Sequence, residues 1–147
     1  MFKFRLEGVL NYRRRIEESL ERELADINRL FDIEKNRLVS YKERRDRYQE
    51  EFRRKQVEGI GVDEIKLYLD FLEGLDKTII DQDRIVTAVC KRVALKREEV
   101  LTAMKNRKIL ETMRARKWDE YRKKEMKAEQ DFLDEIAGSL KKVKGGR

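Results

Sequence analysis

Apolar residues recur along most of this chain at alternating intervals of three and four. In the first half, one series is Leu6, Leu20, Ile27, Tyr41 and Tyr48, and a second series is Leu24, Phe31, Leu38 and Phe52. In the second half, residues at intervals of seven are Ile65, Leu72, Ile79, Val86, Val93 and Val100. This spacing keeps one face of a helix toward a partner helix over many turns. The pattern therefore predicts an all-α protein built from two long helices that pair as a coiled coil.

A glycine-containing segment separates the two series. Gly59 can take the left-handed conformation that ends a helix, and Asp63 can accept the free amides at the start of the next helix. We predict a first helix over about 4–56, a turn at 57–63 and a second helix over about 64–137, forming a single antiparallel hairpin over 1–147. Residues on either side of the turn, such as Phe52 and Tyr68, are then predicted to face each other.

The second predicted helix is longer than the first. Residues after about 115 lack a partner on the first helix, yet apolar side chains continue there at Trp118, Tyr121, Met126, Phe132 and Ile136. Exposed apolar side chains on an unpaired helical overhang indicate a surface for another protein. The alternatives are that Phe2 and Phe4 fold back over Trp118, or that the overhang frays. We expect the helix to end at Gly138 and the basic tail, 138–147, to be disordered and available to an acidic protein surface or to lipid head groups.

Composition supports long helices over a compact domain. The chain is 46% charged, has no proline and carries a net charge of +7, values typical of coiled coils. Its first residues do not resemble a secretory signal and no apolar run is long enough to cross a bilayer, so a cytoplasmic protein is the default expectation. Basic runs are diluted by neighbouring acidic residues, which makes a nucleic-acid surface the least favoured reading.

The sequence offers little for catalysis. It contains no histidine and one cysteine, and its carboxylates alternate with Lys and Arg at helical spacing, as on a solvated helix face. We find no phosphate-binding loop or nucleophile elbow. We therefore predict that the protein is not an enzyme and uses no metal or cofactor, and that Cys90 is a buried thiol beside the apolar stripe.

Three stretches of the chain carry a family resemblance. They are the aromatic opening Phe2-Lys3-Phe4-Arg5-Leu6-Glu7-Gly8-Val9-Leu10-Asn11-Tyr12-Arg13, the segment Tyr68-Leu69-Asp70-Phe71-Leu72-Glu73-Gly74-Leu75 after the turn, and the ending Glu129-Gln130-Asp131-Phe132-Leu133-Asp134-Glu135-Ile136-Ala137. Together with the length and the position of the turn, they resemble the flagellar export protein FliJ family.

The resemblance implies a component of the flagellar type III export apparatus, with a fold similar to the central stalk of rotary ATPases. It implies partners: the hexameric export ATPase, the cytoplasmic domain of the membrane export gate, and export chaperones, with peripheral placement at the inner face of the cell membrane. For the ATPase-binding end we expect Leu6, Leu10, Leu110, Met113, Trp118 and Tyr121. For the gate-binding face near the turn we expect Tyr41, Tyr48, Phe71, Leu75 and Gln82. The alternative function is a structural or scaffold coiled coil, possible as a homodimer, without ATPase contact.

Overall fold

The computed structural model describes residues 1–145 and contains two helices in that range. Helix α1 spans Glu7–Glu58 and helix α2 spans Val62–Gly145, with no strand among the described residues. They pack together as a hairpin, which confirms the all-α coiled coil that the heptad pattern predicts. Before α1, residues 1–6 are not helical, and the Phe4 carbonyl accepts a hydrogen bond from the amide of Glu7 at 3.2 Å.

The turn between the helices is shorter than predicted. Gly59 has a φ of 91°, a conformation that costs glycine little and other residues more. The carbonyl of Gly61 accepts the amide of Ile65 at 3.1 Å, so Gly61 starts the hydrogen-bond ladder of α2. Asp63, predicted as the residue that caps the helix from outside, instead lies in the first turn, where its carboxylate stabilises the positive end of the helix dipole.

Contacts divide the chain into two compact units. Unit 1 combines Met1–Glu17 with the chain from Thr102 onward, and unit 2 is Glu18–Leu101. Each unit contains a stretch of α1 that packs antiparallel to a stretch of α2.

The interface of unit 2 is apolar along most of its length. Its buried apolar side chains are Leu38, Leu75, Ile79, Val89 and Val93. Near the turn the rings of Phe52 and Tyr68 lie 5.2 Å apart between centroids, so these residues face each other as predicted.

One polar pair interrupts that interface. The Gln82 side-chain amide donates to the Glu34 carbonyl at 2.9 Å and to the Glu34 carboxylate at 2.6 Å, and both residues are buried. A buried polar pair restricts which alignments of the two helices leave no polar atom unsatisfied.

The interface of unit 1 relies more on charged groups. Leu10 is fully buried and Ala103 is buried, while the Arg107 guanidinium contacts both carboxylate oxygens of the buried Glu17. Such forked pairs are geometrically specific because guanidinium and carboxylate are both planar.

Helix α2 does not end at Gly138. Gly138 lacks a positive φ, and the helix continues to Gly145. A glycine within a helix costs about 1 kcal/mol relative to alanine, and the following Leu140, Lys141 and Lys142 are good helix formers that sustain it. The basic segment 138–145 is therefore helical, while residues 146 and 147 of the predicted tail lie outside the described residues.

The prediction that Cys90 is buried is wrong. Its thiol is exposed, because the neighbouring interface position is occupied by the buried Val89 and a step of one residue rotates a helical side chain by about 100°. Gly74 is an ordinary exposed helical residue, and an added Cβ there would meet nothing within 4 Å.

Candidate protein-binding surfaces

An aromatic cluster forms in unit 1 where the N-terminal segment lies against α2. The Phe2 ring lies 5.1 Å from Trp118 and 5.6 Å from Tyr121 between centroids, and Trp118 and Tyr121 are 5.9 Å apart. Arg114 places its guanidinium 5.6 Å from the Phe2 ring centre and also forms an ion pair with Glu7 at 2.9 Å. Arg114, Trp118 and Tyr121 share one face of α2 because they are four and three residues apart.

This contact settles one alternative that the sequence leaves open. Phe2 does fold back over Trp118, so the unpaired part of α2 begins after Tyr121 rather than after about 115. Trp118 nevertheless remains 42% exposed. Beside the cluster is a depression of about 860 Å³, lined by residues 1–6 and by Met113, Lys117, Glu120, Tyr121 and Lys124.

Hydrogen bonds shift the pKa values of two side chains near this cluster. Arg107 and Arg14 lie beside Glu111, and the hydrogen bond from Arg107 holds the pKa of Glu111 below its ordinary value. The hydrogen bond from the Tyr121 hydroxyl to Glu125, at 2.6 Å, raises the pKa of Tyr121. These groups organise the helices of unit 1 and provide no pair of carboxylates arranged for acid–base chemistry.

Beyond Tyr121 the helix has no packed partner in the described structure. Every residue from 122 to 145 is exposed to solvent. The exposed apolar residues follow heptad spacing and are Met126, Leu133, Ile136, Leu140 and Val143, with Phe132 beside them. We call this set the overhang stripe. This spacing is typical of a helix face that packs against another surface.

A second surface lies in unit 2 near the turn. Tyr48 and Phe71 are in ring contact, 4.2 Å between centroids. Together with Arg44, Arg47 and Glu51 they line a depression of about 550 Å³, which we call the turn-proximal groove. Phe71 is 42% exposed, so a large aromatic face is held in place by Tyr48 and still open to solvent.

Comparison with known proteins identifies the family. The family model of the flagellar FliJ protein matches residues 2–146. The chain belongs to the FliJ family. A FliJ-family chain is a component of the flagellar, type III class of protein export.

A solved structure supports the fold of this FliJ-family chain. It is described as that of a YscO homolog from Chlamydia trachomatis, with a TM-score of 0.60 and 17% identity, and the match covers 100% of this chain and 99% of the other. At that identity the likeness concerns the fold alone. The search of curated protein sequences found no match.

The residues expected at the ATPase-binding end of a FliJ-family chain all lie in unit 1. Trp118 and Met113 are exposed, while Leu6, Leu110 and Tyr121 are half-buried. Leu10 has no exposed surface, so it packs between the helices and offers nothing to a partner. The sequence analysis did not single out Arg114. Its position four residues before Trp118 places both side chains on one helix face, and this spacing could have indicated that it belongs to the cluster.

The residues expected at the gate-binding face divide in the same way. Phe71 is exposed, and Tyr41 and Tyr48 are half-buried. Leu75 and Gln82 are 7% and 6% exposed, because they occupy interface positions of the heptad. Sequence reasoning missed Arg44 and Arg47, which the pattern gave only as part of solvated charge runs.

The described residues offer no obvious site for a metal or a membrane span. Within 1–145 no group of three or more His, Cys, Asp or Glu side chains is arranged to hold a metal ion. Neither helix, over that same range, is apolar enough along a sufficient length to cross a bilayer.

Proposed function

We propose that this chain is a non-enzymatic coupling component of flagellar type III export. It binds the hexameric export ATPase through unit 1, promotes assembly and activity of the ring, contacts the cytoplasmic domain of the export gate through the turn-proximal groove, and interacts with export chaperones. Its location is then cytoplasmic, held peripherally at the membrane by its partners. The observation that carries the ATPase assignment is the overhang stripe in a member of the FliJ family.

Burial of the overhang stripe would contribute free energy of the same order as the cost of association. Fully burying one large apolar side chain contributes about 1.5–3 kcal/mol. Association costs roughly 4–15 kcal/mol in lost freedom of motion. Five or six side chains buried together contribute about 8–18 kcal/mol, which is of the same size as that cost, whereas one or two contribute at most about 6 kcal/mol. A contiguous stripe is required, and the heptad spacing of Met126, Leu133, Ile136, Leu140 and Val143 supplies it.

The proposed effect of the chain on nucleotide hydrolysis rests on the geometry of one chain that faces a ring of six subunits. A single chain cannot contact six equivalent subunits in the same way at once. It therefore stabilises those subunit states whose surface fits the stripe best, and it changes turnover only by its difference in affinity between nucleotide states. An apolar stripe can produce such a difference in affinity, because a shift of one helical turn in the opposing surface exposes or buries whole side chains.

The test compares two triple variants of the overhang. Leu133→Ser, Ile136→Ser and Leu140→Ser remove the stripe, while Asp131→Ser, Asp134→Ser and Lys141→Ser alter the same helix outside it with the same incoming residue. We expect the first variant to lose at least about tenfold in affinity for the export ATPase, together with stimulation of its hydrolysis rate, and the control to stay within about twofold.

Two results would count against the proposal. If the stripe variant binds and stimulates like the unmodified chain, the overhang is not the ATPase surface. If the unmodified chain neither binds the ATPase nor changes its rate, the scaffold alternative replaces the proposed role, and light scattering then shows whether that scaffold is a homodimer.

A further inference from the structure

The turn-proximal groove continues along α2 as a second stripe, distinct from the helix interface. Thr78 and Ile85 follow Phe71 at intervals of seven residues, so the three share one side of the helix. Leu67 precedes Phe71 by four residues and Gly74 follows it by three, so both lie beside this series. All five are exposed, and Leu67 is 68% and Ile85 46% exposed. Asp81, seven residues after Gly74, interrupts this series and forms an ion pair with Arg84 at 3.8 Å. Apart from it, unit 2 has an outward face with apolar and small residues at the spacing that helix packing requires.

The other wall of the groove, on α1, is basic. Arg44 and Arg47 line the depression, and Arg54 follows Arg47 by seven residues on the same side of the helix. Within residues 1–145 none of these three forms an ion pair, in contrast to Arg37, which pairs with Glu34 at 3.1 Å. The one carboxylate in the depression, Glu51, accepts a hydrogen bond from Tyr68 at 3.3 Å. The wall thus presents guanidinium groups whose bidentate donors are free for carboxylates.

From this arrangement we propose that the groove binds an acidic amphipathic helix of the partner protein. Apolar side chains of that helix would pack on Phe71, Gly74 and Ile85, and carboxylates along one edge would meet Arg44 and Arg47. A helix fits because the stripe repeats at three and four residues, and the described all-α chain offers no sheet edge to which an extended segment could add. Ala88, which is exposed and follows Ile85 by three residues, extends the stripe. From Leu67 to Ala88 the stripe covers roughly 30 Å, which corresponds to a partner helix of about 21 residues.

The opposite side of unit 2 does not share these features. Near the turn it carries Asp46, Glu73 and Asp76. All three form ion pairs: Asp46 with Arg45 at 3.6 Å, Glu73 with Lys77 at 3.7 Å and Asp76 with Arg45 at 3.8 Å. Carboxylates at that side disfavour an acidic helix, whereas Phe71 together with Arg44 and Arg47 favours its binding in the groove. The identity of the gate as the protein that supplies the helix rests on the proposed function, whereas the chemistry of the occupant rests on the groove.

The first experiment tests the chemistry without the gate. Two helical peptides of about 21 residues share leucine at the heptad core positions and carry either glutamate or lysine at the flanking positions. Their affinities are measured by fluorescence anisotropy for the full chain and for two charge-reversal variants. Arg44→Glu with Arg47→Glu changes the groove, and Lys42→Glu with Arg53→Glu makes the same change in net charge on exposed positions outside it.

We expect the glutamate peptide to bind the unmodified chain and the control variant at least about tenfold more tightly than the lysine peptide. The groove variant should lose or invert that preference. Equal binding of the two peptides to the unmodified chain overturns the inference. So does a preference that persists in the groove variant, because it would reflect net charge alone.

The second experiment uses the gate's cytoplasmic domain and separates this inference from the proposed function. We expect the groove variant and Phe71→Ala to lose at least about tenfold in affinity for the gate domain, and Ile80→Ala and the control reversal to leave it unchanged. That result supports both the acidic-helix site and the proposed gate contact. Gate binding that all variants leave unchanged overturns the groove as the gate surface. Peptide binding that follows the expected charge rule, without any gate binding to the unmodified chain, overturns the gate assignment and leaves the acidic-helix site in place.

Discussion

At the scale of single residues, two glycines show how local conformation sets their contribution to stability. Gly59 has a φ of 91° in the turn, whereas Gly74 is an exposed helical residue with open space around it. Alanine lacks the freedom to adopt a positive φ without strain but loses less conformational entropy than glycine in a helix. The same substitution should therefore have opposite effects at the two positions.

We expect Gly74→Ala to raise the free energy of unfolding by about 0.5–1 kcal/mol and Gly59→Ala to lower it by roughly 1–2 kcal/mol. Urea denaturation followed by circular dichroism measures both. Two changes of the same sign would contradict the assigned backbone conformations. Binding of the acidic peptide should be checked for Gly74→Ala, since Gly74 belongs to the groove stripe.

Protonation of Glu111 makes the interface of unit 1 sensitive to acid. Because the hydrogen bond from Arg107 lowers the pKa of Glu111 from 4.5, the folded state binds this proton less readily than the unfolded state. The contribution of Glu111 to stability is therefore fully present at pH values above the ordinary pKa of the carboxyl group. It is lost as the pH falls through the lowered pKa of the folded state. We expect Glu111→Gln to be less stable than the unmodified chain at neutral pH, and the difference to shrink in acid. Denaturation midpoints from pH 7 to pH 3 measure it, and a difference that does not change with pH would contradict the assigned ion pair.

At the scale of the helices, the buried polar pair tests what holds the alignment of α1 and α2 in unit 2. Gln82→Leu leaves the buried Glu34 carboxylate without its amide donor, which should cost about 1–3 kcal/mol. Replacing both residues by leucine removes the carboxylate that lost this donor and should recover most of that loss. Urea denaturation of the two single variants and the double variant measures the coupling. Additive losses in the double variant would show that the two side chains act independently.

The helices themselves were predictable from sequence because heptad spacing is a property of the chain alone. Phe52 and Tyr68 face each other as expected, since a short turn and two regular helices leave few other alignments. The contact of Phe2 with Trp118 could not be derived this way, because Phe2 precedes the helix and has no heptad position. The continuation past Gly138 was missed for another reason. A single glycine is a weak stop signal unless its backbone turns left-handed.

The binding surfaces were harder to predict than the helices. The heptad pattern places Phe71 outside the helix interface, where it is exposed. The family resemblance, by contrast, brought Leu75 and Gln82 into the predicted site although both occupy interface positions and are buried. Arg44 and Arg47 differ from the many other basic residues only by what lies across the groove from them. That information belongs to the packed pair of helices and is absent from either helix alone.

At the scale of the whole molecule, the narrow interface leaves apolar surface available to partners. A two-helix interface buries only one stripe of each helix, so many large apolar side chains stay exposed in both units. In unit 1 they gather in the overhang stripe, and in unit 2 they gather along the turn-proximal groove. Arg44 and Arg47 border the second set, and such charged surroundings would let the proposed partners distinguish the two surfaces.

Hydrogen exchange should reveal this division across the whole chain. An isolated helix is marginally stable in water without packing, so amides between 122 and 145 should exchange at least about 100-fold faster than those between Leu72 and Val93, which lie in a packed interface. Added export ATPase should slow exchange in the overhang, and added gate domain should slow it in residues 44–54 and 67–88. The stripe and groove variants are the matched controls, because each should lose protection at its own surface alone. If the free chain already protects the overhang as strongly as the interface, that segment is covered by another copy of the chain, and the exposed stripe is not available to the ATPase.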